Sequence, residues 1–435
     1  MERTYAAQVR GAESIKVCGF VENIRNKRKM AFIVLKDITG KVQVTVEKGE
    51  NPELDAAVDQ ITLDSVITVT GKAVENEYVK LGGVEVLARE IVIESVAAPL
   101  PIDREETKGH ERSSIDQRID YRWIDLRTEK NQLIFKVQTE LVAAMRDYLL
   151  ERKFLEIHSP KLIGAASESG ADVFEVKYFD RNAYLAQSPQ FYKQMAMAAG
   201  FERIFEVGPV FRAEKSFTSK HTTEFSGFDL EFSYITSFED VMKLEEELLT
   251  YALGRVKEKY GEQLEQVFGT PLTVPTTPFP VIKLRDLYDE LEREFGYKVP
   301  EEEKGDLTTE AEHLSFDWVQ KKYGHEFLFV TDFSAEKRAF YHMRKDGVPQ
   351  GYDLIWRGVE ITTGAQREHR YDVLKAQCDE KGLTEDVKFY LEFFKYGCPP
   401  HGGFGLGIDR LTMLLLGLNI KEAMFIFRGP NRLNP

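Results

Sequence analysis

Five short runs rich in valine and isoleucine fill the first hundred positions: Val17–Glu22, Ala31–Asp37, Val42–Val46, Ser65–Gly71 and Val84–Ile93. Turn sequences such as Asp37-Ile38-Thr39-Gly40 bound them, so they predict strands. A helical patch, Pro52–Gln60, separates the third run from the fourth. Beyond about residue 130 the period lengthens. Ile134, Val137, Leu141, Met145 and Tyr148 fall at helical spacing and predict an amphipathic helix over Asn131–Lys153. It runs into a short apolar segment, Phe154–Ile157, that stops at Pro160. Ser237-Phe238-Glu239-Asp240 reads as a capping box opening a second helix to about Lys259. Strand-like runs (Val173–Tyr178, Ala183–Ala186, Arg203–Val210, Phe228–Ser233, Phe327–Thr331 and Gly358–Thr362) mix with these helices without strict βαβ alternation. That pattern predicts an α+β fold with a mostly antiparallel sheet. Three parts follow: a β-domain over 1–100, a polar hinge or linker over 101–125 entered through Pro99 and Pro101, and a larger domain over 126–435.

Five strands with one helix in this order suit a small closed barrel of the OB type, although any small β-domain shares the pattern. Residues 1–100 hold 13 Lys/Arg against 15 Asp/Glu, so most of the net charge of −14 lies downstream. Such a chain is not a general polyanion binder, and any nucleic-acid contact needs a local basic patch. Arg25, Lys27, Arg28 and Lys29 supply one. No run approaches the ~20 apolar residues of a membrane span. The N-terminus has no apolar signal region. Cys18, Cys378 and Cys398 lack CxxC spacing, which fits a reducing cytoplasm.

Neither a Walker A loop nor a GxGxxG after a strand is present. Four other segments carry chemistry. Arg212, in Phe211-Arg212-Ala213-Glu214, offers a fork for phosphate, although for a lone FRxE a surface ion pair with Glu214 is the favoured reading. His221, Glu224 and Phe225 follow within fourteen residues, as a nucleotide clamp would arrange them. Gly402-Gly403-Phe404-Gly405-Leu406-Gly407-Ile408-Asp409-Arg410 opens an apolar helix and lets backbone approach a ligand. Asp353 and Glu360 stand seven apart in a strand–turn–strand setting, oxygen ligands of the kind Mg²⁺ takes beside phosphates, and Arg367 follows. Gln187-Ser188-Pro189-Gln190-Phe191-Tyr192-Lys193-Gln194 gathers amides, a hydroxyl and a lysine suited to a small polar ligand.

In this order the segments resemble the three motifs of class II aminoacyl-tRNA synthetases, and within that class the aspartyl enzymes of archaeal and eukaryotic type. The helix and strand ending at Pro160 resemble motif 1, the dimer element. Phe211 to Phe225 resembles motif 2, and Gly405-Leu406-Gly407-Ile408-Asp409-Arg410 resembles motif 3. The resemblance implies an OB-fold anticodon-binding domain and a catalytic domain with a six-stranded antiparallel sheet flanked by helices. It implies a homodimer that uses ATP, L-aspartate and Mg²⁺ to charge tRNA-Asp, or tRNA-Asp and tRNA-Asn. By similarity, Arg212, Glu214, His221, Phe225, Glu360, Gly407 and Arg410 bind ATP, and Arg212 and Arg410 are catalytic. Asp353, Glu360 and Thr363 hold the metal. Glu168, Ser188, Gln190, Lys193, Asp229, Thr363 and Arg367 bind aspartate, with Glu231 lining the site. Lys193 and Arg367, two cations against one side chain, favour aspartate over asparagine. Arg25, Phe32 and Gln43 read the anticodon, Phe32 by stacking, unless Phe32 belongs to the barrel core.

One stretch departs from the family. Its usual ending resembles FPRD-x-x-RL-x-P, whereas here Phe427 stands for the proline and Gly429 for the aspartate. The departure keeps three alternatives open: a paralogue passing its adenylate to a non-tRNA acceptor, an asparagine-specific synthetase, and a non-catalytic RNA-binding relative. The retained arginines speak against the last of these, and the anticodon residues speak against the first.

Overall fold

Alternating apolar residues close the N-terminal strands into a barrel. The computed structural model describes residues 1–106, 109–164, 173–215 and 220–434 and divides into two units, Met1–Arg112 and Ser113–Pro435. In the first unit β1 (Ala12–Asn26), β2 (Met30–Lys36), β3 (Lys41–Glu47), β4 (Val66–Glu75) and β5 (Val84–Ser95) bond in the order β1-β2-β3-β5-β4, and β4 returns to β1. Between β3 and β4 lies α1 (Pro52–Gln60), whose first turn donates from Glu53 N and Leu54 N to the Asn51 side chain. Val17, Val21, Ile33, Leu35, Val44, Ile67, Val69 and Val86 point inward and are buried. Phe32 precedes Ile33 on the same strand, so its side chain points out of the barrel and is not core.

The second unit starts within the stretch expected to be a hinge. Its latter half is helical, α2 (Ile115–Asp120) and α3 (Arg122–Asp125), because Arg118, Arg122 and Asp125 are buried partners of one another and not solvated charges. Next come α4 (Glu129–Glu151), β6 (Leu155–Glu156), β7 (Leu162–Ile163), β8 (Glu175–Tyr178), β9 (Arg181–Leu185), α5 (Gln190–Ala198), β10 (Arg203–Phe211) and β11 (Glu224–Ser233). Then α6 (Phe238–Phe268) runs past its expected end, since Leu264 keeps the buried stripe going until Gly269, at φ 69°, caps it. The chain continues through β12 (Val281–Lys283), α7 (Leu284–Phe295), α8 (Thr309–Tyr323), β13 (Phe327–Thr331), β14 (Arg344–Lys345), β15 (Val348–Pro349), β16 (Gly351–Trp356) and β17 (Val359–Arg367). It ends with α9 (Tyr371–Glu380), α10 (Lys388–Lys395), β18 (His401–Gly407), α11 (Ile408–Leu416) and α12 (Ile420–Ala423).

The main sheet has eight strands, not six, in the order β12-β13-β16-β17-β18-β11-β10-β6. Its inner six pair antiparallel, as expected, while β12 and β6 add parallel edges. Both edge strands are two or three residues long, too short to leave a readable alternation. One face of the sheet packs on α4 and α6: Phe228, Leu230, Leu354 and Phe404 meet Ile134, Val137, Leu141, Leu248, Ala252 and Val256 in one buried cluster. The polar groups face the other way.

Candidate active site

The register of the sheet assembles the second face. Asp229 on β11 lies opposite Gly405 on β18, which lies opposite Thr363 on β17, which lies opposite Asp353 on β16. The next row is Glu231, Gly403, Ala365 and Gly351. Directly opposed residues share a face, so β18 presents His401 at its start, beside Ser233 and Arg367, and then only Gly403, Gly405 and Gly407. The floor under the polar groups is therefore bare backbone. A Cβ on Gly405 would stand 2.9 Å from Asp229 Oδ1, and one on Gly227 would stand 2.9 Å from Asp229 Oδ2.

Over this floor lies a cavity of about 180 Å³. Ser188, Gln190, Asp229 and Arg367 line one part of it, and Arg212, Glu214, His221, Phe225, Glu360, Thr363, Gly407 and Arg410 also border it. Segments far apart in sequence thus converge on one space. Glu168 lies outside the described residues.

Two expected site residues, Lys193 and Asp353, belong to this face without lining the cavity. Lys193 is 1% exposed; its Nζ donates to the Phe404 carbonyl (3.1 Å) and lies 2.9 Å from Asp229 Oδ1 and 3.5 Å from Glu231 Oε2. It does not line the cavity, because α5 aims it between the two carboxylates. Asp353 is gripped by both terminal nitrogens of Arg338 (2.9 and 2.6 Å). Arg338 was not read from sequence; it lies in the irregular segment after β13 and carries no local motif.

Glu231 is fully buried and accepts from Arg367 Nε (3.0 Å). Burial alone would raise its pKa, but Arg367 and Lys193 overcome that and hold the carboxyl below its ordinary range. Arg367 Nη2 donates to the Gly403 carbonyl (2.9 Å), and among the described residues Nη1 is the nitrogen of this guanidinium with no hydrogen bond.

At the acidic end, Glu360 and Thr363 are three residues apart, a spacing that places side chains on opposite faces of a regular strand. A bulge opposite Leu354 and Ile355 shifts the alternation. Thr363 Oγ1 then lies 2.9 Å from Asp353 Oδ1 and 3.0 Å from Glu360 Oε1. One hydroxyl has one proton, so one of these contacts sets lone pair against lone pair. Burial pushes Asp353 up to about 6, and Glu360 adds to the rise against the pull of Arg338. All three donors are oxygen and the cluster carries surplus negative charge, which fits a hard cation such as Mg²⁺. Among the described residues no three His, Cys, Asp or Glu groups converge, so substrate oxygens or water would complete such a site.

At the nucleotide end, Arg410 Nη1 donates to the Glu360 carbonyl (2.7 Å) and Arg212 lies 5.4 Å from the Phe225 ring centroid. Burial and the nearby Arg410 hold the His221 imidazole below its ordinary pKa. Lys220 Nζ reaches both oxygens of Glu312 on α8 (3.0 and 2.8 Å), and Glu312 also accepts from Glu360 N (3.0 Å).

On the barrel's outer face, Phe32 lies opposite Arg25 on one side and Thr45 on the other, and Gln43 lies opposite Glu85. Arg25 stands 5.6 Å from the Phe32 ring centroid. Gln43 Nε2 donates to Glu85 Oε2 (3.1 Å), while Asn76 Nδ2 donates to Oε1 (2.6 Å). The amide of Gln43 is thus fixed, with its carbonyl oxygen turned away from Glu85.

Residues 114–427 match the family of class II tRNA synthetases for D, K and N, and residues 15–94 match the OB-fold nucleic acid binding domain. The aspartate–tRNA(Asp/Asn) ligase of Aeropyrum pernix is 41% identical over 97% of this chain and 95% of its own. The aspartate–tRNA(Asp) ligase of Pyrococcus abyssi is 38% identical over 97% and 96%. Among solved structures, asparaginyl-tRNA synthetase from Pyrococcus horikoshii with asparaginyl-adenylate superposes with a TM-score of 0.89 at 32% identity, covering all of both chains. Aspartyl-tRNA synthetase from Entamoeba histolytica gives 0.85 at 31%, over 100% of this chain and 93% of that one. With a family model covering residues 114–427 and full-length relatives at about two-fifths identity, the chain belongs to the aspartate–tRNA ligase family of class II aminoacyl-tRNA synthetases.

Proposed function

We propose that the protein activates L-aspartate with ATP and transfers the aspartyl group to the 3′ end of tRNA-Asp. The observation that carries this reading is the single cavity, bordered by Arg212, His221, Phe225 and Arg410 and also by Ser188, Gln190, Asp229 and Arg367. Phe225 and Arg410 hold the adenine between them, Arg212 meets the α-phosphate and His221 the γ-phosphate. Asp229 takes the substrate ammonium, and Arg367 Nη1 takes the side-chain carboxylate. Lys193 acts through Asp229 and Glu231 instead of touching the substrate.

An oxygen of the aspartate α-carboxylate attacks the α-phosphorus, the bond to pyrophosphate breaks, and aspartyl-adenylate forms. The ribose 3′-hydroxyl of the tRNA then attacks the acyl carbon, loses its proton, and AMP leaves. Neither step needs a protein nucleophile. Positioning, with Arg212 against the charge that develops on phosphate, accelerates both. Asp353, Glu360 and Thr363 would hold Mg²⁺, which when bound neutralises phosphate charge. The outward Phe32, the fixed Gln43 and the cationic Arg25 suit a splayed anticodon base.

A homodimer through α4 and β6 fits the exposure of Leu150 and Leu155, and sedimentation tests it. No described helix is long and apolar enough to cross a membrane, and the three cysteines are free, which suits a cytoplasmic setting.

ATP–pyrophosphate exchange with aspartate or asparagine, followed by charging of separated tRNA-Asp and tRNA-Asn, tests the reading. Aspartate-dependent exchange with charging of tRNA-Asp supports it, and charging of tRNA-Asn as well widens it to both tRNAs. Exchange driven by asparagine alone overturns it in favour of an asparagine enzyme, a reading kept by the likeness to the Pyrococcus horikoshii structure.

A further inference from the structure

The C-terminal segment differs from the family ending at Ile426, Phe427 and Gly429, and the last two meet in space. A Cβ on Gly429 would stand 2.8 Å from the Phe427 ring, closer than real side chains approach, so the ring occupies room that only glycine leaves. Phe427 is buried in a cluster with Met413, Ile420, Ala423 and Met424, and Phe225 packs against that cluster. The next carbonyl, that of Arg428, accepts from Thr222 Oγ1 (2.7 Å) and from Thr223 N (3.1 Å). The Thr223 carbonyl in turn accepts from Arg212 N (2.9 Å). The tail therefore forms one more hydrogen-bonded edge beside the strand ends that carry Arg212 and Phe225.

The tail is itself held from behind. Arg122 on α3 is 1% exposed and donates to three tail carbonyls, those of Glu422 (2.8 Å), Met424 (2.7 Å) and Phe425 (3.1 Å). Its remaining terminal nitrogen donates to Asp125 (2.7 Å), so every nitrogen of the fork is used. Arg118 adds an ion pair to Glu422 (2.9 Å) and Lys421 one to Asp116 (2.8 Å). A planar fork spanning three carbonyls fixes the course of the backbone, which a single ammonium cannot do.

We propose that this C-terminal segment is a positioning element of the nucleotide site, with Arg122 setting its path and Phe427 and the Arg428 carbonyl transmitting that path to Phe225 and Arg212. The proposal rests on the reading that Phe225 and Arg212 bind ATP. It makes the departures at Phe427 and Gly429 a matched pair that preserves the site, not a sign of decay.

The test uses the full chain and measures ATP binding by calorimetry alongside aspartate-dependent exchange. Phe427→Ala is expected to weaken ATP binding about tenfold while the KM for aspartate stays within about twofold. Gly429→Ala, which pushes on the ring, is expected to weaken ATP binding too, yet to add nothing in the Phe427→Ala background, because the collision is then gone. Arg122→Lys, which keeps the charge and loses the fork, is expected to shift the ATP constant in the same direction. Unchanged ATP binding in Phe427→Ala overturns the proposal. So does parallel loss of ATP and aspartate affinity with a lowered melting temperature, the mark of a merely structural segment. Should the wild-type chain bind ATP without aspartate-dependent exchange, the proposed function falls while the variants still decide this one. A chain that binds no ATP overturns both.

Discussion

Asp229 and Gly405 face each other across β11 and β18 so closely that a methyl group on the glycine would stand 2.9 Å from the carboxylate. Gly405→Ala is therefore expected to displace Asp229 from the position that Lys193 and the two flanking glycines define. The KM for aspartate should rise about tenfold with a smaller change for ATP, read by pyrophosphate exchange. An unchanged aspartate KM would remove Asp229 from the amino-acid subsite.

Arg367 and Glu231 form a pair that is 3% and 0% exposed. Arg367→Leu leaves a buried carboxylate without its main partner and should cost about 3–5 kcal/mol of stability, with aspartate-dependent exchange lost. The double change Arg367→Leu/Glu231→Gln removes the stranded charge. It is expected to recover most of the stability in a denaturant titration and none of the exchange. Recovery of both would assign Arg367 a purely structural role.

Glu245 is fully buried beneath the sheet, and burial pushes it up to about 8. Tyr352 Oη donates to one of its oxygens (2.6 Å), and among the described residues no donor in bonding geometry reaches the other. The Thr362 hydroxyl, also without such a partner, lies beside it. A protonated Glu245 satisfies both orphans by donating to Thr362. The unfolded chain releases this proton near 4.5, whereas the folded protein keeps it until about 8, so the native state holds more protons between those values. Stability should fall as pH rises through that window. Glu245→Gln cannot ionise; it should melt higher than the wild type at pH 8, by the equivalent of about 2–4 kcal/mol, and match it near pH 4.5. Parallel melting curves across that range would show that Glu245 is ionised throughout.

Phe32 stands outside the barrel core, so its removal should leave the barrel folded. Phe32→Ala is expected to weaken tRNA binding by about 1–3 kcal/mol, the worth of one stacked base, and to spare adenylate formation. Loss of exchange together with charging would point to a folding defect instead.

Much of this was legible in the sequence, and the exceptions have physical causes. Val/Ile alternation marks the barrel strands because each has one buried and one wet face, and α4 shows its stripe at Ile134, Val137 and Leu141 for the same reason. The strand β18 was hidden. Glycines at 402, 403, 405 and 407 disfavour an isolated strand, and only neighbours on both sides hold them extended. Among the site residues, Arg212, Arg367 and Arg410 announce themselves by motif. The roles of Arg338, Glu312 and Arg122 do not, since each acts on a partner fifteen or more residues away and no local pattern encodes that distance. Lys193 stands out by its neighbours, but whether it faces the ligand or the β11 carboxylates Asp229 and Glu231 is a matter of helix orientation, to which spacing is blind.

The glycine strand under the cavity has an evolutionary corollary. Where a pocket is walled by side chains, a single codon change can enlarge it by trimming one of them. Here the boundary beneath Asp229 is main chain, with nothing left to shorten. A competitive inhibitor built to rest on β18 would thus leave resistance only the outer rim of the pocket to alter.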